Sequence, residues 1–230
     1  VRIATHDRAG GDAMSAMLRW GLAAVLLLGF APSAAADSPQ SQKSPSTTIV
    51  WHSCGDRLEC ARIRVPLDWD HPRGRTIGLT LIRHLASRPE ARIGSLFVNP
   101  GWPGESGVGF VRNAGDVLDG VSWDPRGTHA STPVRCFRSQ RAADTFWKGA
   151  SIPTTKRASK AYSRKVADLA KRCGRISGWL LPHISTADTA RDLDHLRQLV
   201  GEATITYAGL SYGTMLGQTY ANMYPRRVRA

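Results

Sequence analysis

The pentapeptide Gly209-Leu210-Ser211-Tyr212-Gly213 constrains the fold of this chain more than any other feature. A Gly-x-Ser-x-Gly pattern places a serine on a sharp turn between a strand and a helix, at the carboxyl edge of a parallel sheet. Residues 203–208 before it are β-prone, and apolar side chains recur at helical spacing after it. We therefore predict a nucleophile elbow in which Ser211 is the nucleophile and Gly209 and Gly213 leave room for the bend.

Strands and helices are predicted along most of the remaining chain. Short β-prone runs cover residues 61–65, 76–85, 95–98 and 121–123. Amphipathic helices are predicted over 157–173 and 186–200, with Gly174 and Gly201 as their stops and a Ser185/Asp188 capping box at the start of the second. Alternation of this kind predicts an α/β fold with a mostly parallel sheet and flanking helices.

The first 36 residues are predicted to be a signal peptide. A short basic start at 17–19 precedes an apolar run at 22–30, and Ala34-Ala35-Ala36 supplies the small residues of a cleavage site. Residues 37–48 are predicted to be a linker and residues 49–230 the folded domain. The chain is then secreted or held in the cell envelope. An uncleaved membrane anchor stays open as an alternative, as does a misread start over 1–16.

The charge does not indicate a nucleic-acid partner. The formal net charge is +13 at pH 7, but the basic residues are mostly arginines scattered along the chain. A nucleic-acid surface would concentrate them in a stripe with interleaved aromatic side chains. We interpret the charge as surface composition that favours an anionic cell envelope.

Four cysteines indicate disulfide bonds in an exported chain. Three pairings are possible. We prefer Cys54 with Cys60, which closes a small loop, and Cys136 with Cys173, which staples the middle segment. The spacing of the cysteines fits no zinc-site pattern, so no metal is predicted.

Several ordered blocks are similar to the secreted tripeptidyl-aminopeptidase-type α/β-hydrolases, which are relatives of the proline iminopeptidases. The blocks lie at 65–69, 94–101, 122–128, 190–194 and 207–217. The resemblance implies an α/β-hydrolase fold, of which this chain is the amino-terminal half, truncated after the elbow helix. It implies hydrolysis of short peptides from their free amino ends through an acyl-enzyme on Ser211, with no cofactor.

The resemblance also implies further site residues. The loop 99–104 stands where the family carries a Gly-Gly-Pro-Gly oxyanion loop, so the N–H groups of Trp102 and Tyr212 are expected to form the oxyanion hole. Trp102 replaces a family glycine, and its ring is a candidate to fill the acyl pocket. Glu105 is a candidate to hold the substrate's ammonium group, with a solvated loop glutamate as the alternative.

No catalytic base is predicted within the chain. In this fold the triad acid and histidine follow the serine, whereas residues 212–230 contain no Asp, Glu or His. The upstream histidines, including His129 where the family usually has glycine, are therefore not expected to act, and Asp124 and Arg126 are expected to be structural. The chain is expected to be inactive alone. A carboxylesterase of the same fold and a non-catalytic exported fragment or binding protein stay open as alternatives, and the oligomeric state is undetermined.

Overall fold

A six-stranded sheet forms the centre of the computed structural model, which describes residues 44–101, 104–114 and 120–230. The strands are β1 (His52–Gly55), β2 (Leu58–Pro66), β3 (Thr76–His84), β4 (Leu96–Asn99), β5 (Val121–Trp123) and β6 (Thr206–Gly209). They lie in the order β1-β2-β3-β5-β4-β6. The helices are α1 (Gly107–Ala114), α2 (Gln140–Trp147), α3 (Lys156–Ser177), α4 (Thr186–Leu199) and α5 (Tyr212–Met223).

The sheet is mixed, which corrects the prediction of a mostly parallel one. β1 with β2, β2 with β3 and β3 with β5 are antiparallel, and only β5-β4-β6 are parallel. The first three strands are joined by short connections, and a short connection reverses the chain and makes its strands antiparallel. Helices separate the strands only after β4, so the alternation typical of a parallel sheet begins there.

The parallel part of the sheet brings two distant segments to one edge. β4 and β6 pair in register from Leu96–Thr206 to Asn99–Gly209, so both strands end at the same level. Gly101 and Ser211 each follow two residues later. On its other side, β6 is hydrogen-bonded to the segment 227–230. The Tyr207 N–H donates to the Ala230 carbonyl at 2.9 Å, and the Arg229 N–H donates to the carbonyl of Ile205, just before β6, at 2.8 Å.

The helix α4 confirms its predicted boundaries. The Ser185 hydroxyl accepts a hydrogen bond from the Asp188 N–H at 3.0 Å, and Gly201 has φ 81° just beyond the helix end. Both are the arrangements that the capping box and the glycine stop predict. α4 packs against α5 through fully buried side chains, Leu193, Leu196, Leu216 and Tyr220.

The predicted stop at Gly174 is wrong, because α3 continues to Ser177. A Cβ built at Gly174 would meet nothing within 4 Å, so the position is open and compatible with a helix. A glycine inside a helix costs only about 1 kcal/mol relative to alanine, which is too little to end a long helix.

Both disulfides form in the preferred pairing. Cys54 is bonded to Cys60, and Cys136 to Cys173, which ties α3 to the segment before α2. The four cysteines therefore leave no free thiol. Disulfides of this kind are typical of an oxidising compartment.

The predicted signal peptide, residues 1–36, lies outside the described residues, as does the first part of the predicted linker. Its last part is attached to the domain. Ser46 N–H donates to the Arg64 carbonyl at 2.9 Å, and the Ser46 hydroxyl accepts from the Arg64 N–H at 2.9 Å. Over residues 44–101, 104–114 and 120–230, none of the helices combines the length and the apolar character needed to cross a bilayer.

Candidate active site

Ser211 stands at the tip of the turn between β6 and α5. Its backbone has φ 51° and ψ −122°, a region that residues with a Cβ rarely occupy, and its side chain is exposed. Strain of this kind costs on the order of 1–3 kcal/mol and persists where the surroundings enforce it. The turn therefore presents the hydroxyl to solvent rather than using it to cap α5, to which the Ser211 side chain makes no capping hydrogen bond.

The glycines around Ser211 are required by close backbone contacts. A Cβ at Gly209 would lie 2.4 Å from the carbonyl oxygen of Gly213. A Cβ at Gly213 would lie 2.4 Å from the carbonyl oxygen of Asn99. Both distances are far below van der Waals contact. Gly209 therefore lets the end of β6 lie against the start of α5, and Gly213 lets the start of α5 lie against the end of β4.

The loop after β4 packs directly against this turn. Gly101 has φ 94°, and a Cβ there would lie 2.9 Å from both the Ser211 Cβ and the Tyr212 nitrogen. The Tyr212 N–H begins α5 and has no hydrogen-bond acceptor among the described residues. The Tyr212 N–H is therefore open to an acceptor beside the exposed Ser211 hydroxyl. Trp102, the other predicted donor, lies outside the described residues.

Asn99 holds the two segments together, a role that the sequence analysis missed. Its side-chain Oδ1 accepts the Gly101 N–H at 3.0 Å, and its carbonyl accepts the Leu210 N–H at 3.0 Å. Asn99 is buried at the end of β4. The only signal in the sequence was an asparagine at the start of an Asn-Pro-Gly turn, which does not reveal a contact 111 residues away.

Two tyrosines stabilise the turn through their hydroxyl groups. The Tyr207 hydroxyl donates to the Gly213 carbonyl at 2.9 Å, and its ring fills the space where a Cβ at Gly209 or Gly217 would lie. Burial raises the pKa of Tyr207, so the phenol stays neutral and keeps its proton for this bond. The Tyr212 hydroxyl hydrogen-bonds to the Thr186 hydroxyl at the start of α4. Tyr207 therefore ties the start of α5 to β6, and Tyr212 ties it to α4.

Glu105 lies on the exposed loop before α1. Its N–H donates to the Gly101 carbonyl at 3.3 Å, which keeps it close to the segment that packs against Ser211. Its carboxylate makes no ion pair with any described residue. The structure thus brings Glu105 into the neighbourhood of the turn without assigning it a partner.

Asp124 and Arg126 have the structural roles expected of them. Asp124 Oδ1 accepts the Ser106 hydroxyl at 2.7 Å, and its Oδ2 accepts the Ala130 N–H at 3.0 Å, so it caps two neighbouring turns. Arg126 forms a fully buried two-pronged pair with Asp192 of α4, at 2.7 and 2.6 Å. Burial raises the pKa of Asp192, and the Arg126 guanidinium opposes that rise.

None of the described histidines contacts Ser211. His195 Nε2 donates to the Ser46 carbonyl at 3.0 Å, and burial lowers the pKa of His195. His71 pairs with Asp68 at 2.8 Å, and this hydrogen bond raises its pKa. His129 is exposed with φ 39°, in the left-handed region that the glycine usual in the family adopts freely. No group of three or more metal-ligating side chains occurs in the described ranges.

A strand, a strained serine turn and a helix, packed against a glycine loop, define a protein of the α/β-hydrolase class. The family model described as the alpha/beta hydrolase fold matches residues 94–230. The chain belongs to the alpha/beta hydrolase fold family.

Curated relatives extend this assignment. The chain is 34% identical over 199 residues to the tripeptidyl aminopeptidase of Streptomyces lividans, covering 79% of this chain and 37% of the relative. It is 34% identical over 180 residues to the serine protease Hip1 of Mycobacterium tuberculosis, covering 74% of this chain and 34% of that relative. It is 33% identical over 214 residues to carboxylesterase B of Mycobacterium tuberculosis, covering 80% of this chain and 40% of that relative. These relatives confirm the resemblance drawn from the sequence blocks, and the chain spans less than half of their length.

Among solved structures, the crystal structure of Cfl2 from Burkholderia cenocepacia superposes with a TM-score of 0.40 at 15% identity. It covers 79% of this chain and 43% of the other.

Proposed function

We propose that this chain is the amino-terminal part of an exported serine hydrolase that releases short peptides from free amino ends. The observation that carries the proposal is the exposed Ser211 hydroxyl on a strained turn, beside the open N–H of Tyr212. The similarity to a tripeptidyl aminopeptidase and a serine protease supports a peptide substrate.

In the proposed reaction, the Ser211 Oγ attacks the substrate carbonyl carbon and transfers its proton to a general base. The Tyr212 N–H and a second N–H from the loop after Gly101 stabilise the oxyanion that forms. We assign the second donor to Trp102, because the Gly101 N–H is already bonded to Asn99. The amine leaves with the proton, and water then hydrolyses the acyl-enzyme.

The general base and its acid are proposed to come from a carboxyl-terminal part of the full-length protein that this sequence does not include. This is supported by the chain order of the fold, in which the triad acid and histidine follow the serine, and by the relatives, of whose length this chain covers 34–40%. Truncation and inactivity of the isolated chain are part of the same proposal.

The competing substrate is an ester, since one relative is named carboxylesterase B. Paired assays of the full-length protein on a tripeptide amide with a free amino end, its N-acetylated form and a short-chain ester separate the two. We expect the free-amine amide to have the highest kcat/KM. A kcat/KM for the ester that exceeds both amides would establish an esterase instead.

Glu105 is proposed to bind the substrate ammonium, and the same assay tests it. Glu105→Gln is expected to raise KM for the free-amine amide about tenfold, because one charge-assisted contact is lost, and to leave the acetylated substrate unchanged. Glu90→Gln, an exposed glutamate on another turn, is the matched control. If Glu105→Gln changed KM equally for the free-amine and the acetylated substrate, Glu105 would be a solvated surface residue that does not bind the ammonium group.

Export is proposed from the amino-terminal pattern and is supported by the two disulfides. We expect the exported protein to begin near Asp37, after cleavage behind Ala36. Amino-terminal sequencing of secreted or envelope material measures this directly. A protein that retains Met17 in the membrane fraction would instead be anchored by residues 22–30.

A further inference from the structure

A cleft with a volume of about 850 Å³ lies at the other end of the parallel strands from Ser211. Leu96, Val121 and Thr206, the first residues of β4, β5 and β6, line it. Ser211 follows the last residue of β6. The cleft is therefore separate from the candidate active site, and nothing in the proposed reaction uses it.

Arginine dominates the charge of this cleft. None of the described lining residues is Asp or Glu, and five of them are arginines, which define what we call the arginine cleft: Arg57, Arg83, Arg88, Arg92 and Arg229. Among the described residues, two carboxylates that do not line the cleft pair with these arginines. Glu59 pairs with Arg83 at 2.5 Å, and Glu202 pairs with Arg92 and lies 3.8 Å from Arg229. Arg88, unlike Arg83, Arg92 and Arg229, pairs with no carboxylate among the described residues.

Arg88 is the guanidinium best placed to receive a ligand. Its side chain is exposed at the start of a short turn, and it has no side-chain partner among the described residues. A planar guanidinium binds a phosphate or carboxylate through two parallel hydrogen bonds, which makes arginine the preferred residue for such groups.

Apolar side chains stand beside these arginines. Ile93 is 86% exposed and Leu85 is 39% exposed, and both line the cleft. A hydrocarbon chain that lay on these two side chains would remove apolar surface from water, which favours binding. The two chemistries side by side match a ligand with an anionic head and an apolar body.

We propose that the arginine cleft binds an amphiphilic anion, with its phosphate or carboxylate head on Arg88 and its neighbouring arginines and its hydrocarbon chain on Leu85 and Ile93. Such a ligand exists as a free amphiphile or as a lipid in an anionic membrane. The head-group chemistry is shared, and the experiment separates the two sources.

The test titrates the full-length protein with three probes: dodecyl phosphate below its micelle concentration, inorganic phosphate, and phosphatidylglycerol vesicles. Calorimetry measures affinity. Tryptophan fluorescence reports occupancy of the arginine cleft, because the centroid of the Trp51 ring lies 4.4 Å from the guanidinium carbon of Arg83. We expect dodecyl phosphate to bind at least about tenfold more tightly than inorganic phosphate, since only the former covers the apolar wall.

Two pairs of variants locate the site. Arg88→Glu is expected to weaken dodecyl phosphate about tenfold or more, whereas Arg138→Glu, an exposed arginine outside the cleft, leaves it unchanged. Ile93→Ser is expected to weaken dodecyl phosphate severalfold without affecting inorganic phosphate. Its control is Ile152→Ser, which is 87% exposed and outside the cleft.

Three results would overturn the proposal. Equal affinity for dodecyl phosphate and inorganic phosphate would show that Leu85 and Ile93 do not bind the hydrocarbon chain. If Arg88→Glu and Arg138→Glu weakened dodecyl phosphate binding equally, the binding would depend on the net charge of the protein and not on the arginine cleft. Binding to vesicles without binding of monomeric dodecyl phosphate would show a membrane-docking surface instead of a cleft.

Discussion

Ser211→Ala in the full-length protein is expected to lower kcat for tripeptide-amide hydrolysis by about a millionfold, the loss typical of removing a serine protease nucleophile. The reason is chemical: without the Oγ no acyl-enzyme forms, and only the oxyanion donors and substrate binding stay in place. Steady-state kinetics of the purified variant measure the effect. KM should change little, because the hydroxyl contributes to the reaction more than to ground-state binding.

The same substitution should leave the fold intact. The Ser211 side chain makes no capping hydrogen bond, and alanine has the same Cβ at φ 51°. Thermal unfolding of Ser211→Ala should therefore match that of the parent. Ser151→Ala, an exposed serine between α2 and α3, is the matched control and should retain full activity.

Two outcomes would contradict this account of Ser211. A variant that keeps more than about one hundredth of the parent kcat would mean that another group is the nucleophile. Rapid, Ser211-dependent labelling of residues 37–230 alone by a fluorophosphonate would mean that a histidine within this chain, such as His129, reaches the serine.

Asp192→Asn is expected to lower the free energy of unfolding by about 3–5 kcal/mol, because it leaves the buried charge of Arg126 without its carboxylate. All five N–H groups of Arg126 are engaged. Two bind Asp192, and the others donate to the carbonyls of Pro66, Leu67 and His183 at 2.8–3.0 Å. Asparagine has the shape of aspartate but no charge. The midpoint of urea denaturation in the full-length protein measures the loss.

Asp168→Asn provides the control for Asp192→Asn. Asp168 pairs with Arg172 at 2.8 Å on the surface of α3, where the two side chains are 45% and 39% exposed. Exposed pairs of this kind contribute about 1 kcal/mol or less, since water screens the charges. If both variants shifted the midpoint equally, the Arg126–Asp192 pair would not hold the turn after β5 against α4.

The local features of this protein were predictable from its sequence. The Gly-x-Ser-x-Gly pattern indicated the turn at Ser211, and Ser185 with Gly201 indicated both ends of α4. The preferred disulfide pairing was also correct. The turn, the ends of α4 and the Cys54–Cys60 bond depend on residues near one another in the chain, where backbone preferences and side-chain spacing decide the structure. The Cys136–Cys173 bond spans 37 residues and followed from the even number of cysteines and the preferred pairing.

The tertiary structure alone decided the rest. Periodicity distinguishes strands from helices but does not report direction, so the mixed sheet became visible only when the strands were paired. The contact of Asn99 with the Ser211 turn, the Arg126–Asp192 pair and the arginine cleft join residues many positions apart. The contact of Asn99 with the Ser211 turn arises because the parallel register of β4 and β6 brings the ends of both strands to the same level. The sequence of one chain carries no local pattern for that alignment, and only packing of the whole sheet produces it.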